Sequence, residues 1–326
     1  MFVRLSHRKG NDMRYIEDLR ENEQVIEHYL CKQKQSLKTR SGKTYLSLRL
    51  TDKTGTIDAK VWEMNNDIQS FDEGDMIKID GSIVTFQNEL QLKVNKLRRS
   101  REGEYIAGNY IPMTDKDIDT LYAGVLDIIK SVTHVQIRQL LQNILVEDEN
   151  RAEAFKARSA AKHMHHAYMG GLLEHTLAVA QICDFMCSRY KHLNRDILMA
   201  SALLHDIGKI YELSEMPIND YTDDGQMLGH IVMGSELVAV EAAKIPGFSH
   251  ELVSMIKHAI VSHHGEYEYG SPKLPCTAEA ILLHYADNMD AKLTTFEETL
   301  NNDKTPGPWT GYQKALNRYL RRSDFD

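Results

Sequence analysis

Cysteine is scarce in this chain: four among 326 residues, at Cys31, Cys183, Cys187 and Cys276, with no C-x-x-C pair. That spacing excludes a disulfide framework and fits small core side chains in a reducing cytoplasm. Long apolar runs are missing as well. The hydrophobic stretches are short and broken by charges, which excludes a membrane span. The opening "MFVRLSHRKGND" has no apolar segment of the kind a secretory signal needs, so residues 1–12 are expected to form a disordered extension. Internal repeats and low-complexity tracts are absent too. Proline, at seven residues, is too infrequent for a linker-dominated chain.

What the chain has in unusual number is histidine: fifteen residues, most of them between positions 163 and 284. Charge is uneven. Residues 13–101 hold 16 Lys/Arg against 14 Asp/Glu, whereas residues 102–326 hold 20 against 32. An acidic domain that handles phosphates needs bound cations to offset the repulsion, while the near-neutral first part can still expose a basic face. The length allows two domains, each with a core of its own.

Residues 44–97 alternate with period two. "TYLSLRL" puts Leu46, Leu48 and Leu50 on one face, and "TIDAKVW" puts Ile57, Ala59 and Val61 there. With "VIEHYLCKQKQSLKT", "MIKIDGSIVTF" and "QLKVNKL" this predicts about five strands, the size of a small OB-like barrel over 13–100. The opposite faces carry Tyr45, Arg49, Lys60, Trp62 and Lys93. Flat rings and cations suit a single-stranded nucleic acid; alternatively, Trp62 closes the barrel end and the lysines are merely solvated. Alternation is lost in "RRSREGEYIAGNYIPMT", and residues 101–114 read as a linker. From residue 115 to 326 the apolar spacing turns helical, predicting an all-α domain.

Within it, "GGLLEHTLAVAQICDFM" forms an amphipathic helix whose inward stripe includes His175 with Leu172, Val179, Ile182 and Met186. "ALLHDIGK" sets His205 and Asp206 on an apolar helix, diverging by about 100° around its axis. "LGHIVMG" supplies His230 near a helix start, "IVSHHGEYEYG" supplies His263 and His264 at a helix end, and "ILLHYADNMDAKL" supplies Asp287. Any one inward histidine is an ordinary hydrogen-bonded core residue. Several separate helices each offering an inward ligand favour a metal over a salt bridge. Mixed imidazole and carboxylate donors suit Mn, Fe, Co or Zn better than Ca.

The order His175 … His205-Asp206 … Asp287 resembles the HD superfamily of metal-dependent phosphohydrolases. "HHAYMGGLLEHT", "HDIGK" and "HYADNMDA" behind an OB-like barrel resemble, more closely, the YhaM-type 3′–5′ exoribonucleases. The resemblance spans roughly 13–320, with "TPGPW" near the C-terminus, and leaves residues 1–12 outside it. It implies one metal on His175, His205, Asp206 and Asp287, and a second on His230, His263 and His264, with Asp206 bridging. It further implies two divalent ions, Mn²⁺ with Co²⁺ as a substitute, acting on single-stranded RNA and releasing nucleoside 5′-monophosphates.

In that chemistry Lys209 is read as reaching a phosphate oxygen, with a solvated helix lysine as the alternative. His165 and His166 are read as donors to the phosphate or leaving group, with a purely structural role as the alternative. Single-stranded DNA is a second polymer partner that the sequence leaves open, as is a homo-oligomer; a membrane is not a partner. Two rival functions stand beside the nuclease. One is an HD phosphohydrolase of free nucleotides or cyclic dinucleotides, and the other is a non-enzymatic single-strand-binding protein.

Overall fold

The computed structural model describes residues 13–323 apart from 40, 88, 102 and 163–165. The proposed extension 1–12 and the donor His165 lie outside the described residues. The chain divides into two units between Pro112 and Met113.

The first unit is a closed barrel of β1 (Gln24–Lys38), β2 (Thr44–Asp52), β3 (Gly55–Val61), β4 (Met76–Phe86) and β5 (Glu89–Arg99), in the order β1-β2-β3-β5-β4. β1 is long enough to serve two partners. Its first half pairs with β4 and its second with β2, the register shifting between Cys31 and Gln33 where the strand turns the corner. A parallel pairing of β3 with β5 closes the cylinder. The alternation read from sequence is the burial observed. Leu46, Leu48, Leu50, Ile57, Ala59 and Val61 all face the core, which Tyr29, Ile77, Ile79, Ile83, Leu92 and Leu97 complete. Residues 101–112 pack onto the barrel: Tyr110 is buried, and Lys53 N–H donates to the Asn109 carbonyl at 2.9 Å.

The second unit is built from α1 (Ile118–Ser131), α2 (Val135–Gln142), α3 (Glu149–Ala157), α4 (Gly171–Arg189), α5 (Arg195–Leu204), α6 (Lys209–Glu212), α7 (Asp223–Ala243), α8 (His250–Ser262) and α9 (Ala278–Asn302). Side-chain caps start many of them: Asp117, Asp148, Asn194, Thr222, Ser249 and Thr277 each accept from a first-turn N–H. α4 and α5 pack at the centre, with α5 buried from Ile197 to Leu204. The helical expectation holds for this domain, with one addition. A hairpin of β6 (Trp309–Gln313) and β7 (Arg318–Arg321) follows α9. Its strands are too short, and too interrupted by glycine, for period two to register in sequence. No helix among the described residues is long and apolar enough to cross a membrane.

Candidate metal centre

Asp206 is the hub. It does not lie on a continuous helix, as the apolar pattern suggested; α5 stops at Leu204, and His205 to Gly208 wind on as a tight turn into α6. A Cβ on Gly208 would sit 2.0 Å from the His230 carbonyl oxygen, so glycine at this turn lets α7 approach the backbone. His230 in turn follows Gly229, whose φ of 75° breaks α7 and starts a fresh helical segment.

The carboxylate of Asp206 divides two groups of ligand-type atoms. Its Oδ2 lies 3.4 Å from His205 Nε2 and 3.6 Å from His175 Nε2. Its Oδ1 lies 3.5 Å from His230 Nε2 and 3.6 Å from His263 Nε2. On the first side, His175 Nε2 is 3.2 Å from both His205 Nε2 and Asp287 Oδ1. On the second, His230, His263 and His264 bring ligand atoms within 4.8 Å of one another.

Each ring is turned the same way. His205 Nδ1 donates to the Ala202 carbonyl at 2.8 Å, His263 Nδ1 to Ile260 at 2.6 Å and His264 Nδ1 to Tyr269 at 2.8 Å. His175 Nδ1 donates to Asp290 Oδ2 at 2.7 Å and His230 Nδ1 to Glu212 Oε1 at 2.9 Å. These partners only accept, so every Nδ1 carries its proton and every Nε2 turns towards the Asp206 side as a free electron pair or a second N–H. Opposed Nε2 atoms at 3.2 Å need a proton or a metal ion between them. Asp206 Oδ1 and His230 Nε2 are moreover buried without a hydrogen-bond partner among the described residues. Orphaned atoms of this kind cost free energy in an apolar core. A divalent cation bound beside Asp206 would satisfy these atoms, and the donor set fits one.

The electrostatics agree. Burial alone would raise the Asp206 carboxyl, but Lys209 and His205 beside it hold it well below the usual carboxylate range. Asp287 is lowered likewise by His175 and His205 against its burial penalty, and Asp290 by His166 and His175. Burial pushes His263 down strongly and His264 to a lesser degree. His175 goes the other way: burial would lower it, yet Asp287 and Asp290 push it up to about 9.

A cavity of about 340 Å³ opens over this cluster, lined among others by His175, Asp206, Lys209, His263, His264 and Asp287. Lys209 is there, as the sequence suggested, with Nζ 2.6 Å from Asp206 Oδ2. His166 is not: the cavity lining does not include it. Its ring bonds Tyr168 Oη at 2.9 Å and Asp290 Oδ2 at 3.1 Å, behind His175. The reason is local, since Gly171 lets α4 start hard against the His166 backbone, where a Cβ would meet its carbonyl at 2.1 Å.

Sequence reading passed over Asp290 and Glu212, which orient His175 and His230. Asp290 had a signal, lying three residues after Asp287 on the same helix face. Glu212 had none, because its reach to His230 depends on the chain folding back through residues 213–222. Gly265 also escaped notice. Its φ is +81°, and a Cβ there would press into the His284 ring at 2.2 Å, the ring whose Nδ1 donates to the His263 carbonyl.

In the barrel, the outward residues form one surface across β2, β3 and β5. Lys60 is paired in register with Ser47 on one side and Lys93 on the other. Arg49 is exposed opposite Asp58. Tyr45 and Trp62 stack with ring centroids 4.7 Å apart, and Trp62 remains 40% exposed, so it does not plug the barrel end.

The HD domain family matches residues 172–292, and the OB-fold nucleic acid binding domain family matches residues 32–99. The 3′–5′ exoribonuclease YhaM of Geobacillus sp. (strain WCH70) is 33% identical over 297 residues, covering 90% of each chain. That of Bacillus pumilus (strain SAFR-032) is 32% identical over 312 residues, covering 93% of this chain and 96% of the relative. With that identity running through both the barrel and the helical unit, the chain belongs to the family of the YhaM 3′–5′ exoribonucleases.

Proposed function

We propose that the chain is a metal-dependent 3′–5′ exoribonuclease that shortens single-stranded RNA to nucleoside 5′-monophosphates in the cytoplasm. One observation carries the chemistry: a single buried carboxylate, Asp206, presents one oxygen to His175 and His205 and the other to His230 and His263. In this reading His175, His205, Asp206 and Asp287 hold one divalent ion, Mn²⁺ by expectation. His230, His263 and His264 hold another, with Asp206 shared. Such ions supply an activated water and offset negative charge on a phosphodiester. The protein's own part is orientation and charge. Asp290 and Glu212 fix the rings of His175 and His230, while Lys209 adds a cation on the wall of the cavity. The test is 5′-labelled single-stranded RNA with Mn²⁺: a ladder shrinking from the 3′ end with mononucleotide product supports the reading. Internal cuts, or an intact strand beside rapid hydrolysis of free nucleotides, refute it. The same strand made as DNA reports sugar preference.

Two further outcomes are expected. Asp290→Asn removes the charge that holds the His175 tautomer, and Mn²⁺ affinity should fall by about 10- to 100-fold. Rates should recover at saturating Mn²⁺, as followed by titrating the metal against activity; a fixed loss at all Mn²⁺ concentrations contradicts the orienting role. On the barrel, Lys60 and Lys93 are register partners that put two cations on one face, and the Tyr45–Trp62 stack adds flat rings to it. Trp62→Ala should raise KM for an RNA of about 20 nucleotides by about 5- to 100-fold with kcat unchanged. A shift in kcat alone would remove the barrel from substrate binding.

A further inference from the structure

The C-terminal hairpin lies outside the metal centre's His and Asp cluster. Residues 304–323 carry five Lys/Arg and no Asp/Glu, in a domain that is otherwise strongly acidic. Thr310 and Leu320 point inward and are buried. On the other face, register pairs Trp309 with Arg321 and Tyr312 with Tyr319, and the three rings are 52%, 49% and 60% exposed. The two tyrosine rings meet edge to face at 5.3 Å.

This is not a loose tail. Asp303, at the end of α9, accepts from Gly311 N–H at 3.1 Å, from the Gln313 amide at 3.1 Å and from the Arg322 guanidinium at 2.9 Å. The Leu320 N–H donates to Thr310 Oγ1 at 3.0 Å. The turn between the strands contributes Ala315 and Leu316 to the wall of the same cavity that holds Asp206 and Asp287. A rigid, cationic, aromatic ribbon therefore runs up to the rim of the metal centre.

We infer that this hairpin is a second single-stranded RNA platform, which stacks bases of the 3′ segment on Trp309, Tyr312 and Tyr319 and leads the terminal nucleotide past Leu316 into the cavity. The inference rests on the exoribonuclease reading and adds to it the element that guides the end being cut. Sequence-tolerant stacking on exposed rings beside cations is how single strands are bound without base readout. The excess of positive charge beside exposed rings suits a single-stranded polyanion.

The experiment uses the full chain and a fluorescent RNA of about 20 nucleotides. Anisotropy is read with chelator so that binding is separated from cleavage, and hydrolysis of bis(p-nitrophenyl) phosphate with Mn²⁺ reads the cavity alone. The double variant Trp309→Ala/Tyr319→Ala should weaken RNA binding by about tenfold or more. It should leave small-diester hydrolysis within twofold, and Trp309→Phe/Tyr319→Phe should restore binding. RNA affinity within twofold of the parent overturns the proposal, as does a parallel fall in diester hydrolysis, which marks a structural role. A change of oligomeric state by sedimentation in the alanine variant also overturns it, assigning the face to a protein contact. A parent protein that binds the RNA without shortening it refutes the nuclease reading alone, because anisotropy still decides the hairpin.

Discussion

Asp206→Asn should lower RNA hydrolysis by at least about 10³-fold, since the ions this carboxylate is proposed to share are each worth several kcal/mol of transition-state charge. Asparagine keeps the size and one oxygen but loses the charge and the second anionic donor. The substitution also touches stability. Lys209 Nζ sits 2.6 Å from the Asp206 carboxylate, and both groups are largely buried. Removing one partner of a buried ion pair costs about 3–5 kcal/mol, so the variant must be checked by circular dichroism beside its rates. The sequence favours a metal over a salt bridge at the His205–Asp206 step, and Lys209→Gln tests that choice. If Asp206 serves only as the lysine's counter-ion, the Asp206→Asn and Lys209→Gln proteins should lose function alike. If it is the shared donor, bound Mn²⁺ measured by plasma emission should fall in the Asp206→Asn protein and persist in the Lys209→Gln protein. Mn²⁺ retained in the Asp206→Asn protein, with more than a tenth of the parent's rate, would refute the bridge.

Much of this centre was legible in the sequence because its His and Asp side chains lie on, or directly at the ends of, strongly patterned helices. His175 and Asp287 each interrupt an apolar stripe, and the barrel's alternation marks Leu46, Leu48, Leu50 and Val61 without ambiguity. What the pattern missed was set by tertiary approach. Helical periodicity ran straight through "LLHDIGK", whereas the chain turns there and Gly208 meets the His230 backbone. His166 bonds Asp290, the partner of His175, which suits the structural alternative that the sequence offered for it. Adjacency to a glycine turn says nothing about which way the following helix faces. Glu212 contacts His230 across 18 residues through a loop with no periodicity at all. The hairpin was hidden for a related reason: Gly311 and the shift between Trp309 and Tyr312 spoil period two in strands of five and four residues.

Stripping the metal should abolish hydrolysis, with Mn²⁺ restoring it, and should also change how stability responds to pH. In the metal-free protein His175 is the group that stands in for a cation. Burial opposes its charge, but Asp287 at 3.2 Å and Asp290 at 2.7 Å outweigh burial and push it up to about 9, above the ordinary value near 6.5. A histidine raised on folding contributes stability that is complete below its unfolded value and is lost as pH climbs through the folded one. The metal-free protein should therefore lose stability between about pH 6.5 and 9. Bound metal needs the His175 Nε2 lone pair, so the ion competes with that proton and its affinity rises across the same window. Ligand bound only by the folded state stabilises it, by about 2.7 kcal/mol when free metal is a hundredfold above Kd. The gap between the Tm of Mn²⁺-loaded and chelator-treated protein should consequently widen from about pH 6.5 to about 9. Titrations common to both forms cancel in that difference. Calorimetry in two buffers of unequal ionisation enthalpy should show proton release on Mn²⁺ binding at about pH 7.5. A Tm gap that stays flat or narrows with rising pH would mean that His175 does not bind the metal.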